Sequence, residues 1–215
     1  AMGLMFYQCG ILHWECWWIV ILGLILCVGI INAYNFMDGI NGITAGYSLA
    51  VLVPLALFNG NLALVDQSLV LVAILSVLVF CVFNFRPKGQ AKCFAGDVGS
   101  ISIAFIILFI LGTIIIATKD VTYLLFLVVY GVDACFTIVH RILLHENLGQ
   151  AHRKHAYQIM ANELKIGHVQ VSLLYMCLQL IISLVFIYLI PDTVLAHWVY
   201  LLVVVTILAV AYLLF

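Results

Sequence analysis

Two aspartates at the ends of apolar segments are the residues in this sequence best suited to chemistry. Asp38 lies in Asn32-Ala33-Tyr34-Asn35-Phe36-Met37-Asp38-Gly39-Ile40-Asn41-Gly42, where an amide or carboxylate recurs every three residues. A carboxylate inside a span costs about 2.5 to 3.5 kcal/mol on insertion scales, so this pattern suggests use. A helix C-cap with an Asn/Asp turn accounts for Asn41 and Gly42 but not for Asn32 and Asn35, one turn apart inside the run. Gly39 and Gly42 are expected to end the helix and bring backbone close to a ligand.

The second aspartate is in Asn84-Phe85-Arg86-Pro87-Lys88-Gly89-Gln90-Ala91-Lys92-Cys93-Phe94-Ala95-Gly96-Asp97-Val98-Gly99-Ser100, just ahead of a new apolar run. A helix N-terminus favours anions, and an ordinary N-cap also selects Asp, although a cap needs neither Gly96 nor Gly99. Magnesium is commonly held by one or two carboxylates plus substrate phosphates, so Asp38 and Asp97 on one membrane face would suffice beside a diphosphate. Arg86, Lys88 and Lys92 would complement its charge, or serve only as stop-transfer charges.

A third constellation is His140-Arg141, His145, Gln150-Ala151-His152-Arg153-Lys154-His155-Ala156-Tyr157-Gln158 and His168, with five of the seven histidines. His152 and His155 are one turn apart, yet Glu146 and Glu163 are not spaced to complete a zinc site, and a mixture of His, Arg and Lys suits oxyanions better. Tyr157 or Phe94 could stack on a base or line the lipid side, and 156–167 could lie along the interface as an amphipathic helix. Asp133, inside an apolar run, is either a packing and orienting group or a site residue.

The elements that must position these residues are membrane spans. The chain has 215 residues, 67% hydrophobic and 8% charged, with a mean hydropathy of +1.29; soluble domains average about 25% charged. Seven apolar runs follow one another: Trp17 to Tyr34, Ile43 to Phe58, Leu69 to Phe83, Val98 to Thr118, Val121 to Val139, Val169 to Ile190, and His197 to Phe215. In lipid each must be helical to satisfy its own backbone, which predicts a single all-α integral membrane domain over 1–215. Met2 to Leu12 reads as the tail of an earlier span.

Consecutive connections alternate sides. Seven of the eight basic residues fall on the side of the connections at 35–42, 84–97 and 140–168, Lys119 alone on the other. The positive-inside rule makes the seven-residue side cytoplasmic. Trp14, Trp17, Trp18 and Trp198 are expected as interfacial anchors. The cysteines form no CxxC pair, and Cys27, Cys81, Cys135 and Cys177 read as small core residues.

Asn35-Phe-Met-Asp38-Gly39-Ile-Asn41-Gly42, Asn84-x-x-Pro87 leading into Phe94-Ala-Gly96-Asp97-Val-Gly99-Ser100, and His152-Arg153-Lys-His155-Ala-Tyr157-Gln158 together resemble the polyprenyl-phosphate N-acetylhexosamine-1-phosphate transferases. That superfamily includes phospho-N-acetylmuramoyl-pentapeptide transferase. The resemblance implies a bacterial inner-membrane enzyme, its site on the cytoplasmic face, that moves a sugar 1-phosphate from a UDP-N-acetylhexosamine to undecaprenyl phosphate and releases UMP. It further implies Mg²⁺, with Mn²⁺ as a substitute, a homodimer, and no nucleic acid.

By the same implication Asp97 and Asp38 hold the metal and act with His155 in catalysis. Asn32, Asn35, Asn41, Asn84, Lys92, His152 and Arg153 contact substrate. Asn41 stands where the peptidoglycan branch has Asp, which points to the branch initiating O-antigen or other surface polysaccharides. The family also carries an Asp-Asp motif in an earlier cytoplasmic loop, which residues 1 to 31 lack, and its full fold has about ten or eleven spans. The chain therefore matches the last seven spans, as expected of an amino-terminally truncated chain inactive by itself. The rival readings are a non-catalytic remnant of such an enzyme and a transporter component, for which a midplane site would be expected.

Overall fold

The computed structural model describes Tyr7, residues 17–147, Gln150 and residues 153–214. His152, Cys9, Cys16, Trp14 and nearly all of the Met2 to Leu12 segment lie outside the described residues. The helices are α1 (Trp17–Met37), α2 (Ile43–Leu62), α3 (Gln67–Asn84), α4 (Gly96–Thr118), α5 (Val128–Leu143), α6 (Ala156–Asn162), α7 (His168–Leu189) and α8 (Val194–Leu214), with a 3-10 segment, Val121–Leu127, before α5. Among the described residues seven helical stretches are long and apolar enough to cross a membrane, the 3-10 segment and α5 counting as one. The protein is an all-α polytopic membrane protein, as its composition requires.

The most buried span is α2, which packs chiefly against α7 and α3. Its Tyr47 ring stacks on Tyr130 of α5 with centroids 3.5 Å apart, and Tyr34 of α1 meets both rings edge-on. Outer faces of α1, α3 and α8 carry exposed Leu, Ile and Val, the surface expected toward lipid. Cys27 alone of the four expected core cysteines is buried; Cys81 is half-buried, and Cys135 and Cys177 are exposed.

The fifth span changes from 3-10 to α geometry midway, which frees backbone groups that lipid cannot satisfy. Gln179 of α7 resolves this: its Nε2 donates to the Leu125 carbonyl at 3.0 Å, and its Oε1 accepts from Val129 N at 3.2 Å. The Tyr47 hydroxyl accepts from Tyr130 N at 3.2 Å and donates to Gln179 Oε1 at 2.8 Å. A polar side chain in the middle of α7 thereby holds a broken span together.

The connections sort onto two ends of the bundle. One end carries α1–α2, α3–α4 and α5–α7, cross-tied by hydrogen bonds. At the other, His197 Nδ1 of α8 pairs with Asp120 Oδ2 at 2.7 Å, and His197 Nε2 lies 3.8 Å from Asp192. Asp120 also accepts from the Thr122 amide and hydroxyl. Burial opposes its charge, but these donors outweigh burial and hold Asp120 below the usual carboxylate range.

Segment 156–167 differs from the expected interfacial helix. Only Ala156–Asn162 is helical, and Ala156, Tyr157, Gln158 and Ala161 are buried. The Tyr157 hydroxyl donates to the Phe36 carbonyl at 2.8 Å, which draws the short helix against the end of α1 rather than out along a membrane surface.

Candidate active site

Asp38 follows directly on α1, whose last turn holds Asn35. Its Oδ1 accepts from the Thr44 hydroxyl at 2.7 Å, and its Oδ2 accepts from the Gly96 amide at 3.1 Å. Gly96 opens α4 with φ +58, a left-handed conformation that side chains other than glycine rarely adopt. The N-cap of α4 is Ala95, so Asp97 is not a cap; it sits exposed in the first helical turn. Ser100, one turn further, donates to Asn35 Oδ1 at 3.0 Å. The first and second motifs are thus joined at two points, with Asp38 and Asp97 as neighbours.

Burial raises the Asp38 carboxyl above its usual range; the bonds from Thr44 and Gly96 act against this, and the charge of Asp97 adds to it. Among the described residues no basic side chain lies within ion-pair distance of either aspartate. Two neighbouring carboxylates without a cationic partner among the described residues suit a divalent cation. Among the described residues no group of three or more His, Cys, Asp or Glu forms a metal cage. A hard cation that keeps waters and binds substrate phosphates needs only two carboxylates.

Asn41 and Asn84, expected to touch substrate, spend their side chains on the protein. Asn41 Nδ2 donates to the carbonyls of Arg86 and Pro87 at 3.0 and 2.8 Å. Asn84 Oδ1 accepts from Gly42 N at 2.7 Å, and its Nδ2 donates to the Cys93 carbonyl at 2.8 Å. Both asparagines are buried and bind the α1–α2 turn to the α3–α4 loop. Arg86, a candidate for phosphate charge, donates to the Val82 carbonyl of α3.

Gly39 and Gly42 are required by protein contacts. A Cβ at Gly39 would collide with the Tyr157 hydroxyl, and one at Gly42, at φ +86, would lie 2.7 Å from the Phe85 ring. Tyr157 is fully buried and cannot stack on a base, whereas Phe94 is exposed. Asn32, on the exposed side of α1, is tied to none of these groups. Lys88, Lys92 and Arg153 are exposed on this same end.

His155 belongs to the third motif. Its Nδ1 lies 3.2 Å from Asp133 Oδ1, which also accepts from Ala156 N and the Thr137 hydroxyl. Asp133 Oδ2 takes the Tyr175 hydroxyl at 2.6 Å. Asp133 is therefore an orienting hub: four donors converge on it, and it fixes the ring that stands beside Tyr157. Upstream, Arg141 and Lys154 both pair with Glu146, which Lys154 foremost holds below its usual carboxyl range.

Beside the aspartates an apolar groove of about 540 Å³ opens between α2, α3 and α4, lined by Thr44, Val72, Ser76, Phe94, Ser102 and Ile106 among others. Thr44, which bonds Asp38, belongs to its wall.

Residues 2–119 match the family model described as Glycosyl transferase family 4; the match contains Asp38 and Asp97 and stops short of Asp133 and His155. The chain is 34% identical over 152 residues to a probable undecaprenyl-phosphate N-acetylglucosaminyl 1-phosphate transferase of Bacillus subtilis (strain 168), covering 66% of this chain and 40% of that protein. It is 30% identical over 125 residues to the phospho-N-acetylmuramoyl-pentapeptide-transferase of Thermotoga maritima, covering 58% and 39%. It is 37% identical over 95 residues to the transferase of the same name from Moorella thermoacetica, covering 42% and 28%. The first two alignments span about two fifths of the length of those relatives. With more than half its length inside the family model and sugar-1-phosphate transferases as its relatives, this chain belongs to glycosyl transferase family 4.

Proposed function

We propose that this chain forms the nucleotide-sugar and cation site of a membrane transferase. In this reading the enzyme moves an N-acetylhexosamine 1-phosphate from its UDP derivative to undecaprenyl phosphate and releases UMP, at the start of O-antigen or other surface polysaccharide synthesis. The observation that carries it is the junction of Asp38, Gly96 and Asp97, two carboxylates without a basic partner among the described residues, at the end of the bundle where the basic loop residues gather. The positive-inside pattern supports the cytoplasmic face of the bacterial inner membrane for that end.

A lipid phosphate oxygen would attack the β-phosphorus of the UDP-sugar. A new P–O bond forms there, the bond to the bridging oxygen breaks, and UMP leaves with that oxygen. Asp38 and Asp97 are the groups that would hold Mg²⁺, which when bound neutralises diphosphate charge. Thr44 and Gly96 keep the Asp38 carboxylate aimed, and Ser100 with Asn35 holds the start of α4 against α1. Lys92 and Arg153 supply further positive charge, and His155, oriented by Asp133, is the candidate for contact with the phosphates. The apolar groove beside Thr44 suits the acceptor's prenyl chain.

A transporter is less well supported. Asp133, the carboxylate deepest in a span, is saturated by internal donors rather than opened to a path. The test is UDP-N-acetylhexosamine binding to this chain in lipid nanodiscs, with Mg²⁺ and with chelator. Binding that requires Mg²⁺ and weakens about tenfold or more in D38N and D97N is expected; equal binding in chelator or in both variants would sink the reading.

A further inference from the structure

The peptide of Asn41 is gripped from one side by the first two turns of α7. His168 Nδ1 accepts from Asn41 N at 3.3 Å, and the Ser172 hydroxyl donates to the Asn41 carbonyl at 2.8 Å. His168 and Ser172 are four residues apart, hence on one helix face, and both are buried. Because Nδ1 accepts, the hydrogen of the neutral ring sits on Nε2. That atom is closed to solvent and has no hydrogen-bond partner among the described residues.

An unsatisfied buried donor destabilises the fold, which an apolar ring or side chain at this position would avoid. What the histidine supplies in return is the acceptor for Asn41 N. The Asn41 side chain in turn holds Arg86 and Pro87, and Gly42 N is held by Asn84. Asn41 is therefore fixed at its amide, carbonyl and side chain at once, three residues after Asp38. The turn 38–42 has little freedom left, and the Asp38 carboxylate is held against Gly96 and Asp97.

We propose that His168 and Ser172 are positioning residues of the transfer site: their grip on the Asn41 peptide sets where the Asp38 carboxylate stands relative to Asp97. Neither need touch substrate. The proposal rests on the reading of Asp38 and Asp97 as the cation site, and deepens it by making α7 part of that site's support.

The experiment compares H168N, H168L and S172A with the parent chain in nanodiscs, reading the half-saturating Mn²⁺ for UDP-N-acetylhexosamine binding together with thermal unfolding. Asparagine offers Oδ1 near the place of Nδ1, so H168N is expected to keep the parent value within about threefold, while H168L raises it about tenfold, the equivalent of one lost hydrogen bond. S172A, which removes only the bond to the carbonyl, is expected to raise it about threefold to tenfold and decides the matter if H168L does not fold. Parent-like Mn²⁺ dependence in H168L, or in S172A where H168L does not fold, overturns the proposal, as does an H168N no better than H168L. D97N in the same series separates the two failures: if D97N binds like the parent, the cation site itself is misassigned, whereas a defective D97N beside a parent-like H168L sinks the positioning role alone.

Discussion

The Asp38 carboxylate and the Gly96 amide, 58 residues apart in sequence, meet at 3.1 Å. This single bond joins the turn after α1 to the start of α4 and brings Asp38 beside Asp97. It depends on Gly96 at φ +58, so G96A strains the turn by about 1 to 2 kcal/mol. We expect G96A to fold, since nothing crowds a Cβ there, yet to need several times more Mn²⁺ for nucleotide binding than the parent.

The raised carboxyl of Asp38 gives the site a pH dependence of definite sign. Burial makes the folded protein hold that proton at a higher pH than an ordinary aspartate, so at the proposed site protons would displace a cation from Asp38 sooner as pH falls. The half-saturating Mn²⁺ is expected to climb while pH is still above the usual aspartate range, and D38N to lose that part of the climb. Without cation the linkage runs the other way: stability is fully present below the unfolded-state pKa and is lost as pH rises through the raised folded one. Melting curves of the cation-free parent against D38N check this.

Asp133 is predicted to act through His155. D133N leaves the backbone fold but presents an amide where four donors expect a carboxylate. Turnover in membranes carrying the natural gene product should drop about tenfold or more, with UDP-sugar binding reduced less, because orientation of a reacting group is worth more in the transition state than in the ground state. Y175F, which removes one donor, should lose about 1 to 3 kcal/mol of stability.

The far end of the bundle provides a contrasting case. Asp120 accepts from His197 and from the Thr122 amide and hydroxyl, and leaving a buried donor unsatisfied costs about 1 to 3 kcal/mol, so D120N should lower the unfolding temperature in detergent. Its depressed carboxyl contributes stability above the unfolded-state pKa that is lost as pH falls through the lower folded value; the acid limb of the stability curve should accordingly be shallower in D120N. Nucleotide binding, at the opposite end, should be unchanged.

The seven spans, and with them the sorting of the loops onto two ends of the bundle, were legible from hydropathy, because burial in lipid leaves one solution for an apolar run. The two aspartates stood out because carboxylates at span ends are expensive. Their scaffold was harder to read. His168, Ser172, Tyr175, Gln179 and Ser183 recur at helical spacing and are all buried, a polar stripe down α7 that the high apolar content of the run concealed. The backbone partners of Asn41 and Asn84 were not legible, because sequence shows an amide's type but not which backbone groups it binds. Likewise Tyr157 and the glycines 39 and 42 had their partners in distant segments, where local spacing carries no signal.

The most direct test of the account is Mg²⁺-dependent release of UMP from UDP-N-acetylhexosamine and undecaprenyl phosphate by membranes carrying the natural gene product, with and without D97N. The account predicts release that requires Mg²⁺ and the lipid phosphate and falls at least about a hundredfold in D97N, as expected when a charge-stabilising group of the transition state is removed. Turnover in D97N close to that of the parent would contradict it.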